Sequence, residues 1–288
     1  MKRFLILLPL LLLLAAGCRQ EPSLPDENAV YYWRTEWRLD SMERAFLADY
    51  GVQRVFCRYF DVVMADDSLA VPNATISFSE PPPTGVTLVP TVYITENCMH
   101  ARHEGLAKKL VERVLQMNET NDIRGVSELQ IDCDYTERSR VRYYDFLSQV
   151  RQEAAAHGLR LSTTIRLHQL AMPEPPADYG VLMLYNTGDP RRFNERNPVL
   201  DFRDVMPYLR WLQDYPLPMA AAYPVFLWRR NIHGVRIDHE VPAEEILRVK
   251  KAVEGQRPEL RHTILTYHLD RENINRYKPN TYEAIYHH

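Results

Sequence analysis

The sequence predicts a (β/α)8 barrel, in which eight parallel strands alternate with helices. Eight short segments rich in β-branched and apolar residues recur along the chain, and helix-period segments lie between most of them. Strands buried on both faces are continuous apolar runs, as in Val181–Tyr185. No glycine-rich phosphate loop follows the first strand, so an open doubly wound sheet is the weaker alternative.

The elements follow one another at regular intervals. The predicted strands are Ala29–Trp33, Arg54–Tyr59, Thr87–Ile94, Glu128–Asp132, Arg160–Ile165, Gly180–Tyr185, Met219–Val225 and Thr263–Tyr267. The predicted helices are Leu39–Tyr50, His103–Met117, Arg140–His157, Phe202–Asp214 and Ala243–Glu254. We expect irregular geometry in the second and fifth βα units, because 60–85 and 167–179 are rich in proline and have little helical pattern.

The N-terminus has the features of an export signal. Met-Lys-Arg is followed by an apolar run that is too short to span a bilayer, and small residues precede Cys18. The segment Ala15-Ala16-Gly17-Cys18 resembles the bacterial lipobox, which implies a signal peptide over 1–17 and a lipid such as palmitate on Cys18. Arg19 follows instead of aspartate, which by the same resemblance favours the outer membrane of the cell envelope. We expect a polar tether over 18–28 and one domain over 29–288.

Composition limits the expected partners and disulfides. The formal net charge of −3 gives no reason to expect a nucleic-acid partner. Removing Cys18 leaves Cys57, Cys98 and Cys133, which allow at most one internal disulfide and whose expected role is packing. We expect a monomer that needs no cofactor.

The fourth strand has the sharpest chemical signal. Asp132 and Asp134 fall at the C-terminal end of this strand, where barrels of this class carry their active groups. Side chains alternate along a strand, so both carboxylates are predicted to point the same way and to raise one pKa by mutual repulsion. Such a pair serves acid–base chemistry, metal binding or the holding of a substrate amide; the alternative is a structural role.

The surrounding residues carry a family resemblance. Gln130-Ile131-Asp132-Cys133-Asp134, the following Arg140, Tyr143, Tyr144 and Arg151, and the next strand around Leu161–Thr164 resemble a bacterial family of uncharacterised proteins with a glycosidase-like barrel. More remotely, they are similar to family 18 glycoside hydrolases. That family carries Asp-x-Asp-x-Glu after strand four and Met-x-Tyr-Asp on strand six, where this chain has Met183-x-Tyr185-Asn186.

The departures from that pattern concern the chemistry. The resemblance implies that the glutamate is the general acid, but Thr136 occupies its place, and Asn186 replaces an aspartate. Glu137 is one residue later and would reach the site only if a loop turned it inward. Our candidates for catalytic roles are Asp132, Asp134, Glu137 and Tyr185, and Glu36 or Glu96 are further possible acids.

Other polar and aromatic residues at strand ends are candidates for substrate binding. They are Trp33, Glu36, Arg58, Tyr93, Arg166, Asn186, Tyr223 and Tyr267. The aromatic rings would stack on sugars or simply cap the core. The arginines would form internal salt bridges or bind an anionic sugar. His168 and His268 would act as general bases or lie on exposed loops. Asp61, Glu96, His100 and His103 have no diagnostic metal spacing, so we expect no metal.

Two hypotheses of function remain open at this point. The first is a glycoside hydrolase acting outside the cytoplasm, and the second is a glycan-binding barrel that lost its acid. Two carboxylates facing each other across a cleft would favour the enzyme, whereas one carboxylate cluster beside aromatic residues would favour binding. A purely structural envelope lipoprotein would have a closed barrel mouth.

Overall fold

A computed structural model, which describes residues 24–66, 69–100, 104–189, 196–232 and 235–287, confirms the (β/α)8 barrel. Each strand pairs in parallel with the next one along the chain, and the last pairs with the first. The strands are β1 Glu27–Tyr32, β2 Val52–Met64, β3 Thr87–Ile94, β4 Glu128–Asp132, β5 Arg160–Ile165, β6 Tyr179–Met183, β7 Met219–Pro224 and β8 Thr263–Tyr267. Each of these strands overlaps a predicted strand.

Helices pack outside the barrel. The longer ones are α1 Ser41–Asp49, α2 Leu106–Thr120, α3 Arg140–Ala156, α4 Ala243–Gln256 and α5 Pro279–Tyr286. Asp40 and Glu43 form a reciprocal capping box that starts α1. The predicted helix Phe202–Asp214 is broken into short turns at Phe202–Val205, Met206–Tyr208 and Leu209–Leu212, because Pro207 has no N–H to continue a helix.

The two units that were predicted to be irregular depart from regular geometry. The extended strand β2 pairs with a short antiparallel strand, Ala70–Asn73, and Glu36–Trp37 pairs with Ser77–Phe78. Between β5 and β6 the described chain has only a 3-10 turn over Leu167–Ala171. A hairpin of Trp228–Ile232 and Val235–His239 after β7 was not predicted.

A line of polar side chains runs up the inside of the barrel along β4. Glu128, Gln130 and Asp132 are all buried and, at alternate positions, share the inward face. Each finds a hydroxyl donor on another strand: Ser162 and Tyr179 for Glu128, Tyr31 for Gln130, and Thr164 for Asp132. This line ends at the C-terminal ends of the strands, hereafter the mouth; the opposite end is the bottom.

The N-terminal chain joins the barrel at the bottom. β1 begins at Glu27, and Leu24 already packs against the core, so the last residues of the predicted tether lie on the barrel. The predicted signal peptide and Cys18 lie outside the described residues. Within the described ranges, no helix is long and apolar enough to cross a membrane. Cys57, Cys98 and Cys133 are buried as free thiols.

Candidate functional site

The barrel mouth is open and contains two adjoining cavities. The larger has a volume of about 660 Å³ and the smaller about 200 Å³. Both are lined by Asp134, Arg166, Met183, Tyr185, Asn186 and Tyr267. The mouth is therefore large enough to admit a ligand of a few sugar rings' width, within the usual range of small-molecule sites.

One side of the mouth carries three carboxylates, which we call the acidic wall: Asp61, Asp132 and Asp134. Arg166 joins two of them, since its Nε donates to Asp134 Oδ1 at 2.5 Å and its Nη2 lies 3.5 Å from Asp132 Oδ1. The Asp132 side chain is 4% exposed and that of Asp134 is 49% exposed. Asp134 is thus the carboxylate that a ligand reaches first.

The second arginine of the mouth is also paired. The guanidinium of Arg58 donates from Nε to Asp61 Oδ1 at 2.7 Å and from Nη2 to Asp61 Oδ2. Both Arg58 and Arg166 therefore form internal salt bridges, which was one of the two alternatives that the sequence left open. Because their charges are already matched by carboxylates, neither is set up as a free cation for an anionic sugar.

Burial governs ionisation at this site. Burial raises the pKa of Asp132, Arg166 opposes that shift, and the neighbouring charge on Asp134 adds to it. Burial followed by the charges of Asp134 and Asp132 raises the pKa of Tyr93 to about 12. The predicted rise of one pKa in the aspartate pair thus falls on Asp132, and its main cause is loss of water, with repulsion secondary.

The opposite side of the mouth is aromatic. The aromatic wall consists of Tyr185, Phe226, Trp228 and Tyr267, which follow or end β6, β7 and β8. The rings of Tyr185 and Tyr267 stack with centroids 4.7 Å apart, and Phe226 meets Tyr267 edge-on at 5.4 Å. Trp228 is half-buried at the base of the unpredicted hairpin. Such a surface can stack on a flat apolar face of a ligand.

Thr136, in the place of the family's glutamate, is bonded to a carboxylate away from the cavities. Glu96 Oε1 accepts hydrogen bonds from the Thr136 hydroxyl at 2.5 Å and from the Ser139 hydroxyl at 2.7 Å. Burial acts to raise the pKa of Glu96, but these hydrogen bonds outweigh it and lower the pKa below its ordinary value. Glu96 is therefore an ionised acceptor that holds the loop before α3.

The structure brings most of the predicted site residues together. Those that line the mouth are Trp33, Arg58, Tyr93, Asp132, Asp134, Arg166, Tyr185, Asn186 and Tyr267. Three others lie elsewhere. Glu137 is 65% exposed and pairs with Arg140 on the surface. Glu36 accepts from Ser79, and Tyr223 is buried below the mouth. The loop after β4 turns outward, which is why Glu137 does not reach the cavities.

Several lining residues were not identified as site residues from the sequence. Phe226, Trp228 and Tyr208 line the larger cavity, as do both alternative bases, His168 and His268. Phe226 and Trp228 closely follow the predicted strand Met219–Val225, and this pair of aromatic residues at a strand end was the signal that could have found them. Tyr208 belongs to a predicted helix that the structure breaks, so its position could not be inferred from helical spacing.

No metal-binding arrangement of three or more His, Cys, Asp or Glu side chains occurs within the described ranges. The Asp61 carboxylate accepts hydrogen bonds from Arg58, and the Glu96 carboxylate accepts them from Thr136 and Ser139. Of the remaining two metal candidates, His100 is exposed and His103 lies outside the described residues. The donors that are described are thus engaged by protein groups or dispersed.

Comparisons with known proteins extend the description of the fold. No protein-family model matches the chain, and no curated protein matches it. Among solved structures, a chitinase from Bacteroides thetaiotaomicron is similar, with a TM-score of 0.61 and 11% identity over 91% of this chain and 96% of that one. A chitinase from Chromobacterium violaceum gives a TM-score of 0.59 and 13% identity over 90% and 98% of the two chains.

A third similar structure is the spore cortex-lytic enzyme SleL of Bacillus megaterium. Its TM-score is 0.58 and its identity 11%, over 91% of this chain and 74% of that one. At such low identity these likenesses establish the barrel fold. They leave the chemistry to be argued from the mouth itself.

Proposed function

We propose that this protein is a lipid-anchored, monomeric glycan-binding protein of the bacterial cell envelope, and that the barrel mouth is its binding site. The proposal depends above all on one observation: Thr136, where the resemblance implies a general acid, is committed to Glu96 at 2.5 Å. The mouth retains the shape and the aromatic wall of a sugar site. It lacks the proton donor at the position from which the family's reaction begins.

The distribution of charge supports binding over hydrolysis. The carboxylates lining the two joined cavities are Asp61, Asp132 and Asp134, all on the side of β2 and β4. A hydrolase that uses two carboxylates needs them on either side of the scissile bond, about 5 to 9 Å apart, whereas a substrate-assisted hydrolase such as those of family 18 needs a proton donor at the position that Thr136 occupies here. Here the side that faces the acidic wall is aromatic. A sugar ring could stack there while Asp134 accepts a hydrogen bond from it.

The similar structures suggest which glycan to try first. Two of them are chitinases and one is a cortex-lytic enzyme. We therefore propose chitin oligosaccharides and related polymers of amino sugars as ligands. Chitin oligosaccharides are uncharged, which suits a mouth whose arginines are already paired.

A glycan panel tests this proposal. Residues 19–288, without the lipid, should bind at least one amino-sugar oligomer and release no reducing sugar from it. Asp134→Asn should weaken that binding, whereas Asp145→Asn, on the exposed face of α3, should leave it unchanged. Release of reducing sugar by the wild type that disappears in Asp134→Asn would establish hydrolysis instead.

Hydrolysis is the second candidate, and one observation favours it. A further cavity of about 340 Å³ shares Phe226 and His268 with the larger one and is lined by Asp270 and Glu272. Asp270 caps a short helix through the Glu272 amide, so Glu272 is the freer carboxylate. If the chain is a hydrolase, Glu272→Gln should abolish reducing-sugar release. If it only binds, the same change should leave binding intact.

The anchor is tested separately from the glycan. In a diderm host, wild-type protein should sediment with outer membranes and its N-terminal peptide should carry acyl chains on Cys18. Cys18→Ala should remain unacylated and uncleaved at that site. Wild-type protein without lipid would remove the anchoring part of the proposal and leave the binding part standing.

A further inference from the structure

The path of the N-terminal chain constrains how the barrel sits relative to a membrane. The amide of Glu27 donates to the carbonyl of His262 at 2.8 Å, and the Thr263 hydroxyl donates to the carbonyl of Pro25 at 2.7 Å. Asp26 pairs with the His262 ring. All these contacts lie at the start of β1 and β8, so the chain enters the barrel at its bottom and is held there.

The distance from this entry point to the lipid is short. Cys18 lies six residues before Leu24, which packs against the core. Six residues span at most about 20 Å even when fully extended. The lipidated residue therefore stays within about that distance of the bottom of the barrel.

The barrel is taller than this reach. α3 has 17 residues and runs beside the strands from mouth to bottom, which corresponds to about 25 Å. For the mouth to face the bilayer, the connecting chain would have to extend along the full height of the barrel. It would then have to continue past the mouth, and six residues are too few to do so.

We infer that the bottom of the barrel faces the lipid headgroups and that the mouth opens away from the anchoring bilayer. This inference rests on the proposed lipid anchor. Its consequence concerns the partner: the glycan enters from the aqueous compartment, about 25 Å above the headgroups. A polymer in that compartment can reach the mouth, whereas the headgroup sugars of the same bilayer cannot.

Two arginines at opposite ends of one strand provide matched probes. Arg124 lies on the bottom loop before β4, with its side chain 84% exposed. Arg138 lies on the mouth loop after β4 and is also exposed. The other thiols after Cys18 are buried. In the acylated full-length protein, a fluorophore on the new thiol of Arg124→Cys reports the height of the bottom of the barrel above the headgroups. A fluorophore on Arg138→Cys reports the height of the mouth.

Acylated protein in vesicles that carry a headgroup-level quencher gives the test. We expect at least about twofold stronger quenching at position 124, because the two probes differ in height by roughly 20 Å. Equal quenching, or stronger quenching at 138, in protein whose N-terminal peptide carries lipid would overturn the orientation and leave the anchor intact. Absence of lipid from that peptide, seen by mass spectrometry, would overturn the anchor and the orientation together.

Discussion

Thr136 and Glu96 are joined by a 2.5 Å hydrogen bond, in which the threonine hydroxyl donates to the carboxylate. The same oxygen of Glu96 accepts from the Thr136 amide at 3.2 Å and from Ser139 at 2.7 Å. The position that would hold a general acid is thus part of a structural cluster that ties the loop after β3 to the loop after β4. The proposed function, binding without hydrolysis, requires no proton donor at this position.

Replacement of Glu96 by alanine should destabilise the protein without affecting the mouth. It removes the acceptor of three hydrogen bonds. The Thr136 amide can still donate to Ser139 Oγ at 3.0 Å and the Ser139 hydroxyl to the Thr136 carbonyl at 3.3 Å, so the Thr136 hydroxyl is the donor that loses its partner. A buried polar group without a partner costs about 1–3 kcal/mol. Glu137→Ala, which removes an exposed partner of Arg140, should change stability little. Urea unfolding measures both. An equal loss in the two variants would contradict a structural role for Glu96.

The effect of Glu96→Ala should depend on pH. The folded pKa of Glu96 lies below its ordinary value of 4.5, so its charge stabilises the fold fully above that pH. The difference in the free energy of unfolding between the wild type and Glu96→Ala should therefore shrink as the pH falls below 4.5 and through the folded pKa. Unfolding at pH 7 and at a series of lower values checks this. A difference that grew on acidification would contradict it.

The pKa of Asp132 should respond in opposite directions to its two charged neighbours. Asp134→Asn should lower the pKa of Asp132, because one repelling charge is removed. Arg166→Met should raise it, because the compensating cation is lost. Carbon-13 NMR titration of the aspartate carboxyls measures both shifts. Asp145→Asn serves as the control, and an Asp132 pKa that responded equally to it would exclude local coupling.

Arg166→Met should also be among the more damaging substitutions at the mouth. The loss of one partner from a buried ion cluster costs about 3 kcal/mol, at the lower end of the range because Asp134 is half-exposed. Arg140→Met, which breaks a surface pair with Glu137 and a cation–π contact with the Tyr144 ring, should have little effect. Thermal unfolding of the two variants compares them. Similar melting temperatures would mean that Arg166 contributes no more than a surface charge.

Tyr223→Phe should leave both stability and ligand binding unchanged or slightly improve stability. Tyr223 is fully buried, and its hydroxyl makes no hydrogen bond within the described part of the chain. Removing that hydroxyl relieves an unsatisfied polar group and keeps the ring volume. Tyr143→Phe is the contrast, since its hydroxyl is bonded to Thr163 at 2.7 Å. Loss of ligand binding in Tyr223→Phe alone would place this residue in the site after all.

The sequence predicted those strands, helices and strand-end residues that a single local pattern determines. Eight apolar segments alternating with helical ones were enough to predict the barrel, and the proline-rich stretches marked the two irregular units. Asp132 and Asp134 could be placed at the mouth because a strand end fixes a side chain's location in a closed parallel barrel. Their partner Arg166 follows the neighbouring strand, and its ion pair was among the alternatives.

What the sequence did not predict depends on loop paths. A one-residue difference in register decides whether an acid such as Glu137 points into a cavity or to solvent, and no local pattern encodes it. The hairpin that begins at Trp228 could not be anticipated because Arg229 and Arg230 interrupt its apolar alternation. The hydrogen bond from Thr136 to Glu96 joins residues that lie 40 positions apart in the sequence. They come together only because the barrel places the ends of β3 and β4 side by side.

The most direct test of glycan binding without hydrolysis is a calorimetric titration of residues 19–288 with a chitin oligosaccharide. With the wild type, the heat released at each injection should fall towards zero as the binding site becomes saturated. Trp228→Ala, which removes one ring of the aromatic wall, should weaken binding by about tenfold or more, since a stacked aromatic contact contributes roughly 0.5–1.5 kcal/mol beyond its buried area. A steady heat of reaction after each injection would contradict the account in favour of a hydrolase, and the absence of any heat across the whole amino-sugar series would contradict glycan binding itself.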